Sequence, residues 1–451
     1  MKILKARNYT ETYLYKFSEK PATTVFWIAI FARVGFIALS NLFDDGLFFE
    51  DDAGYFALGK MYAENDPSFS LYEPFWNSLA SFTWPIGFVF KIFTPEPFFA
   101  QLISALAGSL VPLIITLLLQ QHVSKKIALC GGLFAALYPS QILWSSLILK
   151  DVFVWLSLSS IMLLAQWWFK QSRVLQLSAG FLGLLAITFY LSRLRVHSLI
   201  IVCLALIVCS IHRKNKHRTL KTAIAIGIFL LLPLNAGAGI GGIDIVEIVF
   251  GSEGKSQLVQ IRQKGAAGAS TAVTESTTDE YGSVISTQDS AEFQKEICYK
   301  EYESEKNNSA HASSSEEKLE ECISLINFSN SGLVEDIIYF PVGLRVMLLD
   351  PLPTRLADNT KLLMAFFEHI LWYPLLIFSF IGLKKFWRKP DLLFAATLGA
   401  GVISKWALVE GNFGTAYRHR GEFVWIAIFF ASIGLEKYLR RKDLIKTKKK
   451  N

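Results

Sequence analysis

Three consecutive acids, Glu50, Asp51 and Asp52, stand inside an aromatic run, FFEDDAGYF, at residues 48–56. Far along the chain lie two arginine-bearing clusters: YLSRLRVHS (190–198) carries Arg193, Arg195 and His197, and TAYRHRGE (415–422) carries Arg418, His419, Arg420 and Glu422. A carboxylate near an attacking hydroxyl takes its proton. The planar fork of an arginine holds a phosphate through paired hydrogen bonds and never loses its charge. Proton abstraction at one wall of a site and anion binding at another is the chemistry these residue types allow.

To meet, those residues must be carried by the elements between them, and those elements read as membrane helices. Of 451 residues 52% are hydrophobic and 18% charged, against about 25% charged in soluble domains. Apolar segments near the roughly 20 residues that cross a bilayer occur at 22–42, 97–120, 127–142, 151–169, 175–192, 196–212, 219–236, 361–383, 391–409 and 422–438. The N-terminal stretch has no short apolar run ending in small residues, so the first apolar segment is expected to stay as a helix. With a cytoplasmic N-terminus, the basic clusters at 122–126, 169–173, 212–221, 384–390 and 437–451 all fall on one face, as the positive-inside rule requires. Keeping that parity makes 78–93 and 334–353, both with proline, helices that lie in the outer interface.

One composition shift marks a separate module. Ser252 to Asp336 holds sixteen acidic and seven basic residues, a net −9 in a chain of net +7. Its first half is small and polar and buries too little to order itself. The second half has two helical arms around NNSAHA, with Ser314 and Glu317 at capping-box spacing. Cys298 and Cys322 sit one on each arm, on the side where disulfides persist, and are expected to pair. The domain reading is an N-terminal transmembrane bundle with the first outer loop (1–251), the acidic extracytoplasmic module (252–336), C-terminal transmembrane helices (337–438) and a basic cytoplasmic tail (439–451).

The same topology gathers ionisable groups on the outer face. Asp44 and Asp45 precede the acid triplet; Lys150 and Asp151 separate the third and fourth helices; Arg345 and Asp350 lie ahead of the eighth, with Glu368 and His369 just inside it. Arginines there run against the positive-inside bias, and charges placed against hydrophobicity are functional candidates. Arg33, near the middle of the first helix, needs a partner. Trp144, Trp372 and Trp406 read as belt or packing residues.

The acid-acid-x-x-aromatic pattern after the first helix, DDAGY at 51–55, resembles the first extracytoplasmic loop of the GT-C superfamily of membrane glycosyltransferases, which includes protein O-mannosyltransferases and the aminoarabinose transferases that modify lipid A. The segments YFPVGLRVMLLDPLP (339–353), EHILWYPLLIFSFIGL (368–383) and GNFGTAYRHR (411–420) are similar to recurrent pieces of bacterial members. The resemblance implies an all-α polytopic protein, a GT-C-like bundle of about ten transmembrane helices with outer interfacial helices and one helical loop module. It implies a polyprenyl-phosphate sugar donor, an extracytoplasmic lipid, glycan or protein acceptor, and a bacterial inner membrane. Asp51 takes the position of the acid that activates the acceptor, and Asp52 stands where many relatives have Glu. The donor phosphate goes to Arg418 and Arg420, with Arg193, Arg195 and Lys150 as further candidates and Glu50, Tyr55, His419, His369 and Glu368 nearby. The extra module between the seventh and eighth helices departs from the larger C-terminal modules of such relatives.

With a phosphate leaving group a single displacement inverts the anomeric centre, since one base and a cationic clamp suffice, whereas retention needs a second carboxylate as nucleophile. No P-loop, HExxH, paired CxxC or GxSxG is present, so no cofactor and no nucleic-acid partner are implied. Clustered carboxylates with His369 or His419 have the donor atoms for a divalent ion, and nothing in the pattern demands one. Two rivals remain: a polymerase or ligase using a diphosphate-linked donor, whose working groups would sit in the large loop, and a lipid or solute transporter, which would show repeats and midplane polar groups.

Overall fold

A computed structural model describes residues 19–43, 46–66, 73–212, 217–234, 333–350, 360–384, 386–409 and 413–448. Their regular structure is helical throughout. In chain order the helices are α1 Pro21–Phe43, α2 Glu50–Glu64, α3 Glu73–Ile92, α4 Pro97–Gln120, α5 Lys125–Leu137, α6 Pro139–Ser145, α7 Asp151–Lys170, α8 Val174–Leu194, α9 Val196–Ser210, α10 Arg218–Leu234, α11 Leu333–Leu349, α12 Thr360–Leu383, α13 Pro390–Val409 and α14 Phe413–Lys448. Asp44, Asp45, Cys298, Cys322 and the 252–332 part of the acidic module lie outside the described residues.

Over their described residues nine of the ten apolar segments each fall on one helix and 127–142 falls on the bent pair α5–α6, but the described helices do not all qualify as spans. Six are long and apolar enough to cross a membrane, or seven if the bent pair α5–α6 counts as one. A shortfall in α9 comes from length, its apolar part being His197–Ser210. In α14 it comes from charge: only thirteen uncharged residues separate Glu422 from Glu436. These apolar helices suit an integral membrane protein. Phe31, Leu42 and Leu175 are 70%, 77% and 82% exposed, a surface that hydrocarbon would cover.

Two compact units divide the chain, one of Met1–Gly242, Pro353–Val402 and Arg418–Asn451, the other of Ile243–Leu352 and Ile403–Tyr417. In the first, α4 is the central helix, packed against α1, α5 and α7. Small residues let it approach: a Cβ on Gly108 would sit 2.4 Å from Ser145 Cβ and 3.0 Å from Arg33 Nε. At the α12–α14 crossing, backbone meets backbone. A Cβ on Gly382 would fall 1.9 Å from the Phe430 carbonyl oxygen, and one on Gly434 2.0 Å from that of Phe378. Beside them Ser379 Oγ donates to the Ala427 carbonyl at 2.7 Å, the close packing by small residues that membrane helices use where lipid provides no hydrophobic drive. Within the second unit, Gly343 of α11 lies so near the Ala407 carbonyl that a Cβ would be 1.8 Å away, and Arg345 Nε lies 3.5 Å from Asp350.

Helix α5 was expected to run unbroken through 127–142; instead it turns by 53° into α6. Pro139 has no N–H to donate and blocks the helical bond there. The next donor, Ser140 N–H, goes to Glu368 Oε2 at 2.7 Å, while Ser140 Oγ donates to Oε1 at 2.9 Å. The abandoned Ala136 carbonyl accepts from Arg33 Nη1 at 3.1 Å. Arg33 also reaches Ser145 Oγ at 2.7 Å and the Ala29 carbonyl at 3.1 Å. This buried arginine therefore finds its partners at the break, and a carboxylate from α12 satisfies the other side of it.

Candidate functional site

The loop after α1 is anchored before it reaches the acid triplet. Asn41 Nδ2 donates to Gln101 Oε1 at 2.9 Å, and Gln101 Nε2 donates to the Gly46 carbonyl at 2.6 Å. Gly46 has φ +76°, and a Cβ would sit 2.8 Å from Asn41 Oδ1; the turn requires glycine on both counts. Beyond it α2 starts at Glu50. Asp52, fully buried, folds its carboxylate back onto that start and accepts from the N–H groups of Phe48 (3.0 Å), Phe49 (2.9 Å) and Ala53 (3.0 Å). Burial pushes its carboxyl above the ordinary value against the pull of those donors. Asp52 thus caps its own helix, and its neighbour Asp51, with a side chain 59% exposed, points to a partner elsewhere.

That partner is Arg418. Its Nη1 bonds Asp51, while Nε at 2.9 Å and Nη2 at 2.5 Å bond Asp151 Oδ2. The other oxygen of Asp151 is held by Arg195 Nη2, and Arg195 Nη1 bonds Glu422. Four segments distant in sequence are joined in one chain of ion pairs: Asp51, Arg418, Asp151, Arg195, Glu422. Local structure explains the meeting. Arg418 and Glu422 are four residues apart on α14 and share a face. Gly421 between them admits Trp155 of α7, for a Cβ there would lie 2.4 Å from the indole Cζ2. Asp151 opens α7, delivered by a turn whose Leu147, Ile148 and Leu149 are fully buried.

Exposure separates the outermost members of the chain from its buried inner three. Side-chain exposure is 59% at Asp51, 15% at Arg418, 1% at Asp151, 7% at Arg195 and 0% at Glu422. Burial works against charge on Arg418, yet Asp151 and Asp51 outweigh it and hold its guanidinium above the ordinary value. Three carboxylates against two guanidiniums leave one negative charge. Lys150 supplies the missing cation. It lies in electrostatic reach of Arg195, Asp151, Arg418 and Asp51, with no ion pair within 4.0 Å among the described residues. Burial first, then Arg195, pushes its ammonium down to about 8.

The remaining sequence candidates sort around this network. Tyr55 of α2 packs edge-on to Phe82 at 4.9 Å; burial and then the Asp151 charge push its hydroxyl above its usual value. His419 acts on the Asp151 charge from the next position of α14. Glu50 opens α2. Arg193 turns instead to the Phe189 ring, 5.2 Å away. Arg420, 2% exposed, faces His369 Nε2 at 3.2 Å and the Trp372 ring at 5.4 Å. With Glu368 on Ser140, this is a second buried polar cluster on α12. An arginine has no acceptor, so in that contact His369 Nε2 accepts.

Asp151 and Glu422 stand in the outer-face inventory of the sequence without a role; here they are central. What signalled Asp151 was an acid joined to a lysine at the very start of an apolar run. Ser140, Asn41 and Gln101 gave no signal, since their partners are remote in sequence. Among the described residues, no group of three or more His, Cys, Asp or Glu side chains is placed to hold a metal ion. No protein-family model matches this chain, and no curated protein matches it.

Proposed function

We propose that the chain is a membrane-embedded, inverting glycosyltransferase that moves a sugar from a polyprenyl-phosphate donor to an extracytoplasmic lipid, glycan or protein. The observation that carries this reading is the five-membered chain of ion pairs with Lys150 beside it. Only its outermost member is solvent-exposed. The resemblance of DDAGY and GNFGTAYRHR to GT-C pieces supports it. We place the protein in a bacterial inner membrane with about ten spans, cytoplasmic termini, and the network and the acidic module outside.

Chemically, the donor phosphate binds Lys150 and competes with Asp51 for the Nη1 edge of Arg418. Displaced from that edge, the Asp51 carboxylate is released to the acceptor hydroxyl. That oxygen attacks the anomeric carbon, its proton passes to Asp51, and the bond from carbon to phosphate oxygen breaks with its electron pair kept by the phosphate. Arg195, locked between Asp151 and Glu422, positions the acid that holds Arg418 rather than touching the donor. The test is transfer from a labelled prenyl-phosphate sugar in proteoliposomes. Asp51→Asn should cut turnover by about 10²-fold or more with donor binding kept, and Lys150→Ala should weaken donor binding. Wild-type turnover by Asp51→Asn would overturn the assignment.

A transport reading is favoured by one feature, the α5–α6 break with its backbone ends held by Arg33 and Glu368, because transporters bind at such discontinuous helices. Substrate flux across sealed vesicles without a covalent product would decide for it.

A further inference from the structure

On another side of the first unit, a groove of about 300 Å3 runs between α5, α12 and α14. Ile127, Cys130 and Phe134 line it from α5, Ile428 and Leu435 from α14, and Ile370 to Phe378 from α12. The α5 positions follow i, i+3, i+7 spacing, the α14 positions i, i+7, and Ile370, Pro374 and Phe378 of α12 i, i+4, i+8, so each helix gives one stripe. The stripes run about 10–12 Å along the helix axes, less than half of the roughly 30 Å hydrocarbon core. The groove therefore fits within one leaflet. It is open at exposed Cys130 and at Ile370, 67% exposed.

Its two ends differ in charge. Toward α12 residue 369, the nearby cation Arg420 is 2% exposed and already faces His369 and the Trp372 ring. At the opposite end the cations are exposed: Lys125 and Lys126 precede Ile127, and Lys437, Arg441 and Lys442 follow Leu435. Contacts tie the start of α5 to the basic end of α14. Ser124 Oγ donates to Glu436 Oε2 at 2.8 Å, and Arg440 Nε donates to Glu436 Oε1 at 2.9 Å. Glu436 is thereby occupied, and Lys437 Nζ is held by the Gly382 and Lys384 carbonyls at 3.1 and 3.2 Å, so the collar's cations for another anion are the exposed Lys125, Lys126, Arg441 and Lys442. Tyr438, 49% exposed and stacked edge-on 6.0 Å from Phe378, marks the boundary where apolar stripe becomes polar.

We propose that the α5–α12–α14 groove holds one acyl chain of an anionic phospholipid, its phosphate seated on the lysine collar formed by the start of α5 and the basic end of α14. The exposed charge at the lysine end fixes the choice: a zwitterionic lipid, whose phosphate is offset by its own cation, would gain less from that collar, and juxtamembrane lysines each add favourable energy with an anionic headgroup. This site stands whether or not the glycosyl-transfer reading does.

The test is native mass spectrometry of the full chain extracted from nanodiscs of equal phosphatidylglycerol and phosphatidylcholine. Wild-type protein should retain one phosphatidylglycerol per monomer. Cys130→Trp, which fills the groove, should lose it, and Cys130→Ser should keep it, which separates occupancy from misfolding. Lys126→Gln with Lys442→Gln should lower the preference for the anionic lipid about tenfold or more. Alkylation of Cys130 in unmodified protein should slow several-fold when phosphatidylglycerol replaces phosphatidylcholine. Retention of either lipid equally, retention of an isoprenoid lipid in its place, a dimer closed over Cys130, or no retained lipid would each overturn the proposal.

Discussion

The two ends of the first unit use the same residue types under opposite conditions. At the head of α7 and α14, Asp151, Arg195 and Glu422 are buried and satisfy one another. At the foot of the same helices, Lys170, Arg440, Arg441 and Lys442 are exposed. Contacts confirm that separate basic segments gather at that foot: Lys437 Nζ reaches the Lys384 carbonyl at 3.2 Å, and His212 Nε2 lies 2.8 Å from the Trp387 carbonyl. Water and counterions screen the foot. Burial makes the head unforgiving, because removing one partner strands a charge that no solvent can reach.

The comparison breaks if Asp151→Ala is tolerated. That variant leaves Arg195 and Arg418 each short of a partner and should cost about 3–5 kcal/mol, read as a large loss of unfolding temperature in detergent. Next in size, Glu368→Ala removes the carboxylate that replaces a helical bond at the α5–α6 break; about 1–3 kcal/mol should go with it, and Glu368→Gln should restore part. A smaller effect sharpens the contrast through pH. Lys150 titrates at about 8 in the folded chain, against about 10.4 when unfolded. Donor affinity should be full below about 8 and fall as pH rises through it; Lys150→Arg should flatten that profile in a binding titration. In the same window the unfolded chain keeps the proton longer, so the folded state should gain stability between about 8 and about 10.4. Smallest of all, Lys442→Gln at the foot should move stability by no more than about 0.5 kcal/mol.

Periodicity and punctuation made most of the helices legible. Segment 97–120 coincides with α4, because one apolar run is bounded by Pro97 and by Gln120 and Gln121. Arg195 and Arg418 drew notice because the expected topology sets them against the charge rule. Asp51 and Asp52 could not be told apart in sequence, since the difference lies in which backbone N–H groups meet which carboxylate. The α5–α6 break was equally hidden: Pro139 was visible, but the groups that make a break there affordable, Arg33 and Glu368, stand more than a hundred residues away on either side. Sequence reveals a helix's own face well and the identity of a remote partner poorly.

Gly382 and Gly434 fix α14 against α12 through main-chain atoms, which no rotamer change can loosen. Arg418 lies sixteen residues from Gly434 on the same 36-residue helix, about 24 Å along its axis. The crossing is therefore a fulcrum: a tilt of α14 driven from its basic C-terminal end would swing Arg418 the opposite way, toward or away from Asp51.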